Sequence, residues 1–314
     1  MRAVTLNSVP EAPAVTEVPT PSPEAGEVLV RVTASSINGF DTATAAGYLQ
    51  GVMEHRFPLV AGKDFAGTVE ALGEGADGFA VGQAVFGVVM KPFLGTGSLA
   101  QYVTVSAGYG IAPIPEGLSA ATAGALGLAG AAALDSLNAV APADGETVLI
   151  SGATGGVGAL AVQLAAARGA RVIATARPGA EADFVTGLTD AKVELVDFGG
   201  DLPAQVRALA PEGVDAVLHL AGDGPLLASL LRPGGRFAST LGLNADAVRK
   251  PDVTVHTIMA DPNAQTLTVL AEQAASGALR VPVTATYPLE QAPQAFAAFG
   301  AGTLGKIAVT TKEV

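Results

Sequence analysis

The segment from Thr147 to Arg177 constrains the fold more than any other part of this 314-residue chain. It reads TVLISGATGGVGALAVQLAAARGARVIATAR, a short apolar run followed by a glycine-rich turn and then by apolar residues at helical spacing. The pattern predicts a strand, a tight turn, a helix over 157–168 and a second strand over 171–175. Such a turn at a helix N-terminus presents backbone N–H groups and a positive dipole end to a pyrophosphate. The segment therefore predicts a dinucleotide site, the alternative being a βα turn that binds nothing.

The residues after the second predicted strand indicate which dinucleotide is bound. An NAD site commonly has an acidic residue there, which accepts hydrogen bonds from the adenosine ribose. This chain has Thr175, Ala176 and Arg177 instead, and the first carboxylate is that of Glu181. A guanidinium can bind a 2′-phosphate with two hydrogen bonds, whereas a carboxylate would repel it. We therefore predict NADP(H) rather than NAD(H).

Composition excludes several classes of protein. The net charge of −12 disfavours a nucleic-acid partner, because phosphate backbones repel an acidic surface. The absence of cysteine excludes disulfides and thiolate metal sites, and it fits a cytoplasmic protein. The N-terminus lacks an apolar signal core, and the most apolar stretch, 118–134, is mostly Ala and Gly. That stretch predicts a buried helix, so we expect no membrane partner.

Hydropathy patterns predict two domains of an α/β protein. In the first third of the chain, apolar and polar residues alternate over 27–33, 65–71 and 99–105, which predicts strands. From about Leu118 helices and strands alternate, as in a doubly wound parallel sheet. We predict a β-rich domain over 1–117 and a Rossmann domain over 118–286, the latter closed by a helix over 264–276 and a strand over 281–286. Residues 287–314 are expected to return to the first domain through a strand over 304–310.

Several motifs outside the glycine turn point to one family. They are VTASSINGFDTATAAGY (Val32–Tyr48), FPLVAGKDFAGTVEALGEGADGFAVGQAVFG (Phe57–Gly87), GSLAQYVTV (Gly97–Val105) and LGKIAV (Leu304–Val309). With them the chain resembles the medium-chain dehydrogenase/reductase superfamily, in its zinc-free NADPH:quinone oxidoreductase (zeta-crystallin-like) branch, over nearly its whole length. The resemblance implies a GroES-like N-terminal domain completed by the C-terminal strand, a small-molecule quinone or enone substrate, and a homodimer. The segment VTVHTI (253–258) reads as an edge strand that could pair across a two-fold axis.

The departures from the superfamily pattern argue against zinc. Gly62-Lys63-Asp64 stands where the zinc-dependent relatives have Gly-His-Glu, and the histidines, His55, His219 and His256, do not cluster in the sequence. Zinc needs three or four nitrogen, sulfur or carboxylate ligands, so we expect no metal site. A further departure from the family pattern does not concern zinc: this chain has Gly127 at a position where a proline is common in the family.

A metal-free reductase must deliver hydride to a quinone or to a C=C bond conjugated to a carbonyl group. Negative charge then develops on oxygen and needs a nearby donor, while the cofactor carries the hydride chemistry. The resemblance implies that Asn38 lies near the nicotinamide and that Tyr48 lines the substrate pocket. Tyr48 could donate to the developing enolate, or it could be only a pocket wall. Asn38 could position nicotinamide or substrate, or it could cap the next helix.

The resemblance also implies cofactor contacts in four groups: at the pyrophosphate, at the adenosine end, after the fourth and fifth Rossmann strands, and near the nicotinamide. In that order they are Thr154, Gly155, Gly156 and Val157; Thr175 and Arg177; Leu220, Ala221, Leu241 and Gly242; and Gly305 and Lys306. Asp41, which can cap a helix start, and Asp64 are interpreted as structural. Lys63 is either a phosphate or substrate contact or a solvated side chain.

Other enzyme classes fit the residues less well. Short-chain dehydrogenases use a Tyr with a Lys four residues later, but the residues at that spacing here are Val52, Ser106, Pro113 and Gln291. A serine hydrolase needs a Gly-x-Ser-x-Gly elbow, which does not occur. Two alternatives stay open: an enoyl or enone reductase of secondary metabolism, and a non-catalytic NADPH-binding protein such as a redox sensor.

Overall fold

The computed structural model describes residues 1–248, 250 and 252–311. The chain divides into two compact units, one of Met1–Ala129 together with the chain from Pro262 onwards, and one of Gly130–Asp261. These boundaries differ from the expected 117 and 286. None of the helices within the described ranges combines the length and the apolar character that a membrane crossing needs.

The first unit begins with a series of short strands. They are β1 (Arg2–Leu6), β2 (Ala14–Glu17), β3 (Glu27–Ile37), β4 (Glu54–His55), β5 (Leu59–Val60), β6 (Asp64–Leu72), β7 (Ala84–Val88), β8 (Phe93–Leu94), β9 (Tyr102–Ser106) and β10 (Ile111–Pro113). Its helices here are α1 (Gly39–Ala45) and α2 (Ala120–Ala123), and α3 (Gly127–Val140) leads into the second unit. The single buried helix predicted for the stretch 118–134 is thus two helices, because α2 is capped by Ser119 before it and by Gly124 after it.

Strands and helices alternate in the second unit. The strands are β11 (Thr147–Ser151), β12 (Arg171–Thr175), β13 (Val193–Val196), β14 (Val214–His219), β15 (Leu231–Ser239) and β16 (Thr254–Thr257). The helices are α4 (Gly156–Ala167), α5 (Ala180–Thr186), α6 (Leu202–Leu209), α7 (Gly224–Ala228) and α8 (Ala245–Val248). The chain then returns to the first unit with α9 (Ala264–Ala275), β17 (Val283–Pro288), a 3₁₀ turn (Leu289–Gln291), α10 (Ala292–Gly300) and β18 (Lys306–Thr310).

The second unit has a Rossmann fold. Within the described residues, six parallel strands follow the order β13-β12-β11-β14-β15-β16, which is the order of dinucleotide-binding domains. Its core is apolar, with Leu149, Ile173, Val217 and Phe237 fully buried. The predicted strands over 147–151, 171–175 and 193–196 are confirmed, and β16 lies at the sheet edge as predicted for 253–258.

The main sheet of the first unit joins distant parts of the chain. Its order is β10-β7-β6-β3-β18-β17, with β9 also paired to β3. β18 runs antiparallel to β3, with Ile307 opposite Ile37, so the C-terminal strand completes this sheet as expected. The expectation that a strand over 281–286 closes the Rossmann sheet is wrong, because β17 pairs with β18. Ala285 and Tyr287 pack into the apolar cluster around Ile307 in this unit.

We expect Gly158→Ala to lower the free energy of unfolding by roughly 1–3 kcal/mol, because an extra methyl group would distort a packed backbone. A Cβ at Gly158 would lie 2.1 Å from the Gly152 carbonyl oxygen and 2.6 Å from Ala153 Cα. Urea unfolding measures the change. The control is Gly155→Ala, since a Cβ there would meet nothing closer than 3.5 Å. Equal stabilities of the two variants would contradict this account of the turn.

Candidate functional site

The candidate cofactor residues of the second unit lie along one edge of its sheet. β11, β12, β14 and β15 are parallel, with Ser151 beside His219 and His219 beside Ser239 in the register. Their carboxyl ends therefore share one edge, where open α/β sheets bind ligands. The structure places the predicted residues in the segments that follow these ends, and they are Thr154, Gly155, Gly156, Val157, Arg177, Leu220, Ala221, Leu241 and Gly242.

The glycine turn between β11 and α4 has the geometry of a pyrophosphate cradle. Gly152 has a φ of +78°, which glycine adopts without strain, and its carbonyl oxygen accepts a hydrogen bond from the Gly155 N–H at 3.1 Å. The N-terminal N–H groups of α4 have no carbonyl partner within the helix. Since a Cβ at Gly158 would lie 2.1 Å from the Gly152 oxygen, only glycine permits this closeness. The residues fit the phosphates of a dinucleotide.

Thr175, expected at the adenosine end, holds the glycine turn in this structure. Its side chain is buried, and its Oγ1 accepts a hydrogen bond from the Gly152 N–H at 2.9 Å. The hydroxyl of Ser151 donates to the Ala221 carbonyl oxygen, which joins the turn to the segment after β14. The end of β12 and the end of β11 are thereby fixed to their neighbours before any ligand binds.

Arg177 projects from the end of β12, and its side chain is 64% exposed. Its Nε donates to Glu181 Oε1 at 2.8 Å, and its backbone N–H donates to Glu181 Oε2 at 2.8 Å. The guanidinium also lies 5.4 Å from the centroid of the Phe198 ring. Hydrogen bonding to Arg177 lowers the pKa of Glu181, which therefore carries its charge at neutral pH. Arg177 is thus held in place by a carboxylate with which a 2′-phosphate would compete.

The loops after β14 and β15 form an apolar, open rim at this edge of the sheet. Leu241 is 55% exposed, and Gly242 follows it with a φ of +76°. Leu220 and Ala221 follow β14, and a Cβ at Gly152 would lie 3.0 Å from the Cβ of Ala221. His219 is buried beneath them, with Nδ1 3.0 Å from Ser239 Oγ and Nε2 3.0 Å from the Gly222 oxygen. The histidine is therefore a satisfied structural group.

A fully buried carboxylate, that of Asp64, organises the candidate residues of the first unit. Asp64 Oδ1 accepts from the Leu128 backbone N–H at 2.7 Å. Its Oδ2 accepts from Ser36 Oγ at 2.6 Å and from Asn38 Nδ2 at 2.9 Å, and it lies 3.4 Å from Lys306 Nζ. Lys306 Nζ also donates to Asn38 Oδ1 at 2.5 Å. Burying a carboxylate requires such compensation by donors and an opposite charge.

This network fixes the side-chain amide of Asn38. One Nδ2 hydrogen points to Asp64 and the oxygen accepts from Lys306, so the second Nδ2 hydrogen is left to donate elsewhere. The structure brings Asn38 and Lys306 together although they are 268 residues apart, because β18 pairs with β3. Gly305 precedes β18 with a φ of +65°, where a Cβ would lie 2.2 Å from the Pro282 oxygen. Both Gly305 and Lys306 are buried.

Gly127, where the family pattern commonly has proline, lies close to the same carboxylate. A Cβ at Gly127 would come within 3.1 Å of Asp64 Oδ1 and 2.9 Å of Val88 Cγ2. The missing side chain therefore lets the start of α3 approach Asp64. The next residue, Leu128, donates its backbone N–H to the carboxylate there.

Tyr48 lies outside this network. It is 79% exposed, in the turn after α1, and its backbone N–H donates to the Ala43 oxygen at 3.0 Å. A narrow cleft of about 20 Å³ opens in the same unit, and Tyr48 is not among its lining residues. Its lining includes Phe40, Asp41, Thr44, Lys63, Phe93 and Thr96.

Two ionisable groups line the cleft: Asp41, which the sequence analysis interpreted as structural, and Lys63, for which it left open a phosphate or substrate contact or a solvated side chain. Asp41 is buried, and burial raises its pKa to about 7, opposed by the hydrogen bond that its Oδ2 accepts from the Asn38 backbone N–H at 2.8 Å. Burial also lowers the pKa of Lys63, while the carboxylates of Asp41 and Asp64 act in the opposite direction. Asp41 does cap α1 as expected, but its position in the cleft was not predicted.

Zinc does not fit the side chains of this chain. The sequence contains no cysteine. In the described ranges, no group of three or more His, Asp or Glu side chains is arranged to hold a metal ion.

We expect Asp64→Asn to lower the free energy of unfolding by roughly 3–5 kcal/mol, because it leaves the buried Lys306 ammonium without its carboxylate. Denaturant unfolding at neutral pH measures the loss. The control is Glu70→Gln, which removes the partner of Arg31 in a pair whose side chains are 44% and 52% exposed. That pair is expected to contribute less than about 1 kcal/mol. If both variants lose the same amount, the network does not stabilise the unit as described.

Comparison with known proteins agrees with this arrangement of two units. The family model of the alcohol dehydrogenase GroES-like domain matches residues 24–116, and that of the zinc-binding dehydrogenases matches residues 180–309. The chain is 30% identical over 297 residues to the chloroplast envelope quinone oxidoreductase homolog of Arabidopsis thaliana, covering 90% of this chain and 88% of that protein. It is 39% identical over 221 residues to a mycocerosic acid synthase-like polyketide synthase of Mycobacterium tuberculosis, covering 68% of this chain but 10% of that protein.

Solved structures share the fold over the whole chain. The quinone oxidoreductase from Coxiella burnetii superimposes with a TM-score of 0.88 at 27% identity, covering 99% of each chain. A mycobacterial protein complexed with NADPH superimposes with a TM-score of 0.86 at 26% identity, covering 99% of this chain and 100% of that one.

A Rossmann unit with a glycine-turn phosphate cradle, joined in one chain to a GroES-like unit, defines the class as the medium-chain dehydrogenases and reductases. The chain belongs to that superfamily, and within it to the quinone oxidoreductase branch. The resemblance inferred from the motifs, and the fold that it implied, are confirmed.

Proposed function

We propose that this chain is a zinc-independent NADPH-dependent oxidoreductase that transfers hydride to a quinone or an α,β-unsaturated carbonyl compound. The observation that carries the proposal is the pairing of a glycine-turn cradle with Arg177 at the end of β12, where no carboxylate projects from the strand end itself. The guanidinium suits a 2′-phosphate. The solved relative that is complexed with NADPH supports the same cofactor.

The residues of this chain would bind and orient the reactants. When bound, NADPH supplies a hydride, and the protein supplies position and charge stabilisation. Thr154, Gly155, Gly156 and Val157 would hold the pyrophosphate through backbone N–H groups. The remaining Nδ2 hydrogen of Asn38 would orient the nicotinamide or the substrate, with Lys306 and Asp64 holding the amide.

The direct test is NADPH oxidation by the purified chain with a panel of small quinones and enones. We expect turnover on at least one acceptor class, and faster turnover with NADPH than with NADH. Tight NADPH binding without turnover on any acceptor would overturn the enzyme proposal and favour a redox sensor.

We expect Arg177→Ala to weaken NADPH binding by roughly ten- to hundredfold, because a charge-assisted hydrogen bond to phosphate is worth about 1.5–3 kcal/mol. NADH binding should not change, since it has no 2′-phosphate. Fluorescence titration with both cofactors measures the difference. Glu181→Gln is the matched control: it removes the carboxylate that competes for Arg177, so NADPH binding should become tighter. An equal loss for NADH and NADPH would contradict the role of Arg177.

We expect Tyr48→Phe to lower kcat by about tenfold or more if its hydroxyl stabilises the developing oxyanion, since one such donor is typically worth that much. Steady-state kinetics with an enone measure the effect. Tyr102→Phe, on β9, is the control. An unchanged kcat would exclude a proton-donor role for the Tyr48 hydroxyl.

A second candidate is an enoyl or enone reductase of secondary metabolism. The 39% identity over 221 residues to a segment of a polyketide synthase supports it. The kcat/KM values for enoyl thioesters and for quinones distinguish the two. A clear preference for enoyl thioesters would favour this candidate.

A further inference from the structure

Three adjacent strands of the Rossmann sheet end in buried polar side chains. β11, β14 and β15 end at Ser151, His219 and Ser239, which lie side by side in the register. None of the three residues is more than 5% exposed. A buried polar group costs free energy unless it is hydrogen-bonded, so its partners show what it holds in place.

His219 joins the two loops at the rim of this edge, which are residues 220–223 after β14 and residues 240–244 after β15. Its Nε2 lies 3.0 Å from the Gly222 carbonyl oxygen in the first rim loop. Its Nδ1 lies 3.0 Å from Ser239 Oγ, which accepts from the Leu241 backbone N–H at 3.1 Å in the second rim loop. Each nitrogen of the imidazole ring therefore serves one rim loop.

The hydrogen atoms of this series have one consistent arrangement. A carbonyl oxygen only accepts, so His219 carries a hydrogen on Nε2 and donates it to Gly222. Nδ1 of the neutral ring then accepts from the Ser239 hydroxyl, whose oxygen accepts from Leu241. Among the side chains, only histidine supplies a donor and an acceptor nitrogen in one rigid ring.

Side-chain packing brings the same two rim loops together. Gly224 directly follows the first rim loop, and Leu243 belongs to the second. A Cβ at Gly224 would lie 2.1 Å from Leu243 Cδ1 and 3.2 Å from His219 Cε1, so the glycine permits both contacts. The first rim loop is thus fixed against the second by hydrogen bonds and by packing.

The rim loops lie on the side of the glycine turn away from Arg177. In the sheet, β12 lies on one side of β11, and β14 and β15 lie on the other. Since Arg177 follows β12 and the glycine turn follows β11, a dinucleotide that crosses this edge with its 2′-phosphate at Arg177 and its pyrophosphate at the turn directs its nicotinamide half towards the rim loops.

We propose that His219 is a positioning residue, which holds the two rim loops at the separation that the nicotinamide half of NADPH requires. The inference rests on the proposed function, since it needs the cofactor. A loop that is free to move must be ordered when a ligand binds, and this ordering weakens the affinity. The hydrogen bonds of His219 supply the order before the cofactor binds. The adenosine end does not depend on them, because Thr175 holds the glycine turn and Glu181 holds Arg177.

The test compares whole NADPH with adenosine 2′,5′-bisphosphate, the part of NADPH that lacks the nicotinamide half. His219→Leu removes both hydrogen bonds of the ring and keeps an apolar side chain in the buried position. We expect the dissociation constant of NADPH to rise roughly tenfold, because two hydrogen bonds of ordinary strength are lost. That of adenosine 2′,5′-bisphosphate should stay close to the parental value. Isothermal titration calorimetry measures both.

The matched control is Val217→Ala. Val217 lies two positions before His219 on β14 and is fully buried, so its truncation lowers stability without removing a hydrogen bond of the rim loops. We expect Val217→Ala to leave the affinity ratio of the two ligands unchanged. A ratio that changes as much as in His219→Leu would show that general destabilisation of the unit accounts for the effect, and would overturn the role of His219.

Ser239→Ala tests the second half of the connection. It keeps the bond from His219 to Gly222 and removes the link to Leu241. The loss of NADPH affinity should therefore be smaller than in His219→Leu. The double variant should bind NADPH no more weakly than His219→Leu alone, because groups in one hydrogen-bonded series are not additive. Ser239→Ala also carries the test if His219→Leu does not fold.

Hydrogen exchange followed by mass spectrometry examines the rim loops without any cofactor. The Leu241 amide is protected in the parent chain by its hydrogen bond to Ser239. We expect peptides that contain 220–223 and 240–244 to exchange faster in His219→Leu, and peptides of α4 to exchange at the parental rate.

The outcomes separate this role from the proposed function. If the parent chain binds NADPH but reduces no acceptor, the proposed enzyme activity fails, and a selective loss of NADPH affinity in His219→Leu still supports the positioning role. Equal losses for the two ligands overturn the role of His219. So does an NADPH affinity that stays at the parental value while the rim loops exchange faster.

Discussion

The buried carboxylate of Asp64 is the interaction on which the first unit depends. Removing a carboxylate from water costs several kcal/mol unless donors replace its hydration. The Asp64 carboxylate is stabilised by Ser36 and Asn38 at the end of β3, by the Leu128 N–H at the start of α3, and by Lys306 on β18. The donors lie on segments that are far apart in the sequence, so the charge is satisfied only when the whole sheet has assembled.

The second unit applies the same principle to its ligand edge. Side chains at strand ends, Ser151 and Thr175, bond to the backbone of neighbouring segments and so hold the glycine turn before a cofactor arrives. Arg177 is likewise held by Glu181, although that carboxylate must share it with an incoming phosphate. Preorganisation of this kind reduces the ordering that binding would otherwise require, at the expense of competition at one charged contact.

The sequence predicted what short-range pattern determines. The spacing of apolar residues and the glycine-rich turn located β11, α4, β12 and the edge strand β16. Each of these patterns lies within one segment of the chain. The sequence pattern could not show which sheet β17 joins. Its residues are partly buried and partly exposed, and such a strand fits either sheet. The pattern also could not place Lys63 and Asp41 in one cleft, because only the tertiary fold brings Phe40, Phe93 and Thr96 around them.

Lys63 and Asp64 show how neighbouring charges acquire different uses. They are consecutive residues of opposite charge, so an ion pair between their side chains would be expected. Both oxygens of Asp64 instead accept from four donors within the fold. Lys63 lines the cleft, and its Nζ has no hydrogen bond or ion pair among the described residues. The fold thereby compensates the anion within the first unit and leaves the adjacent cation at the cleft.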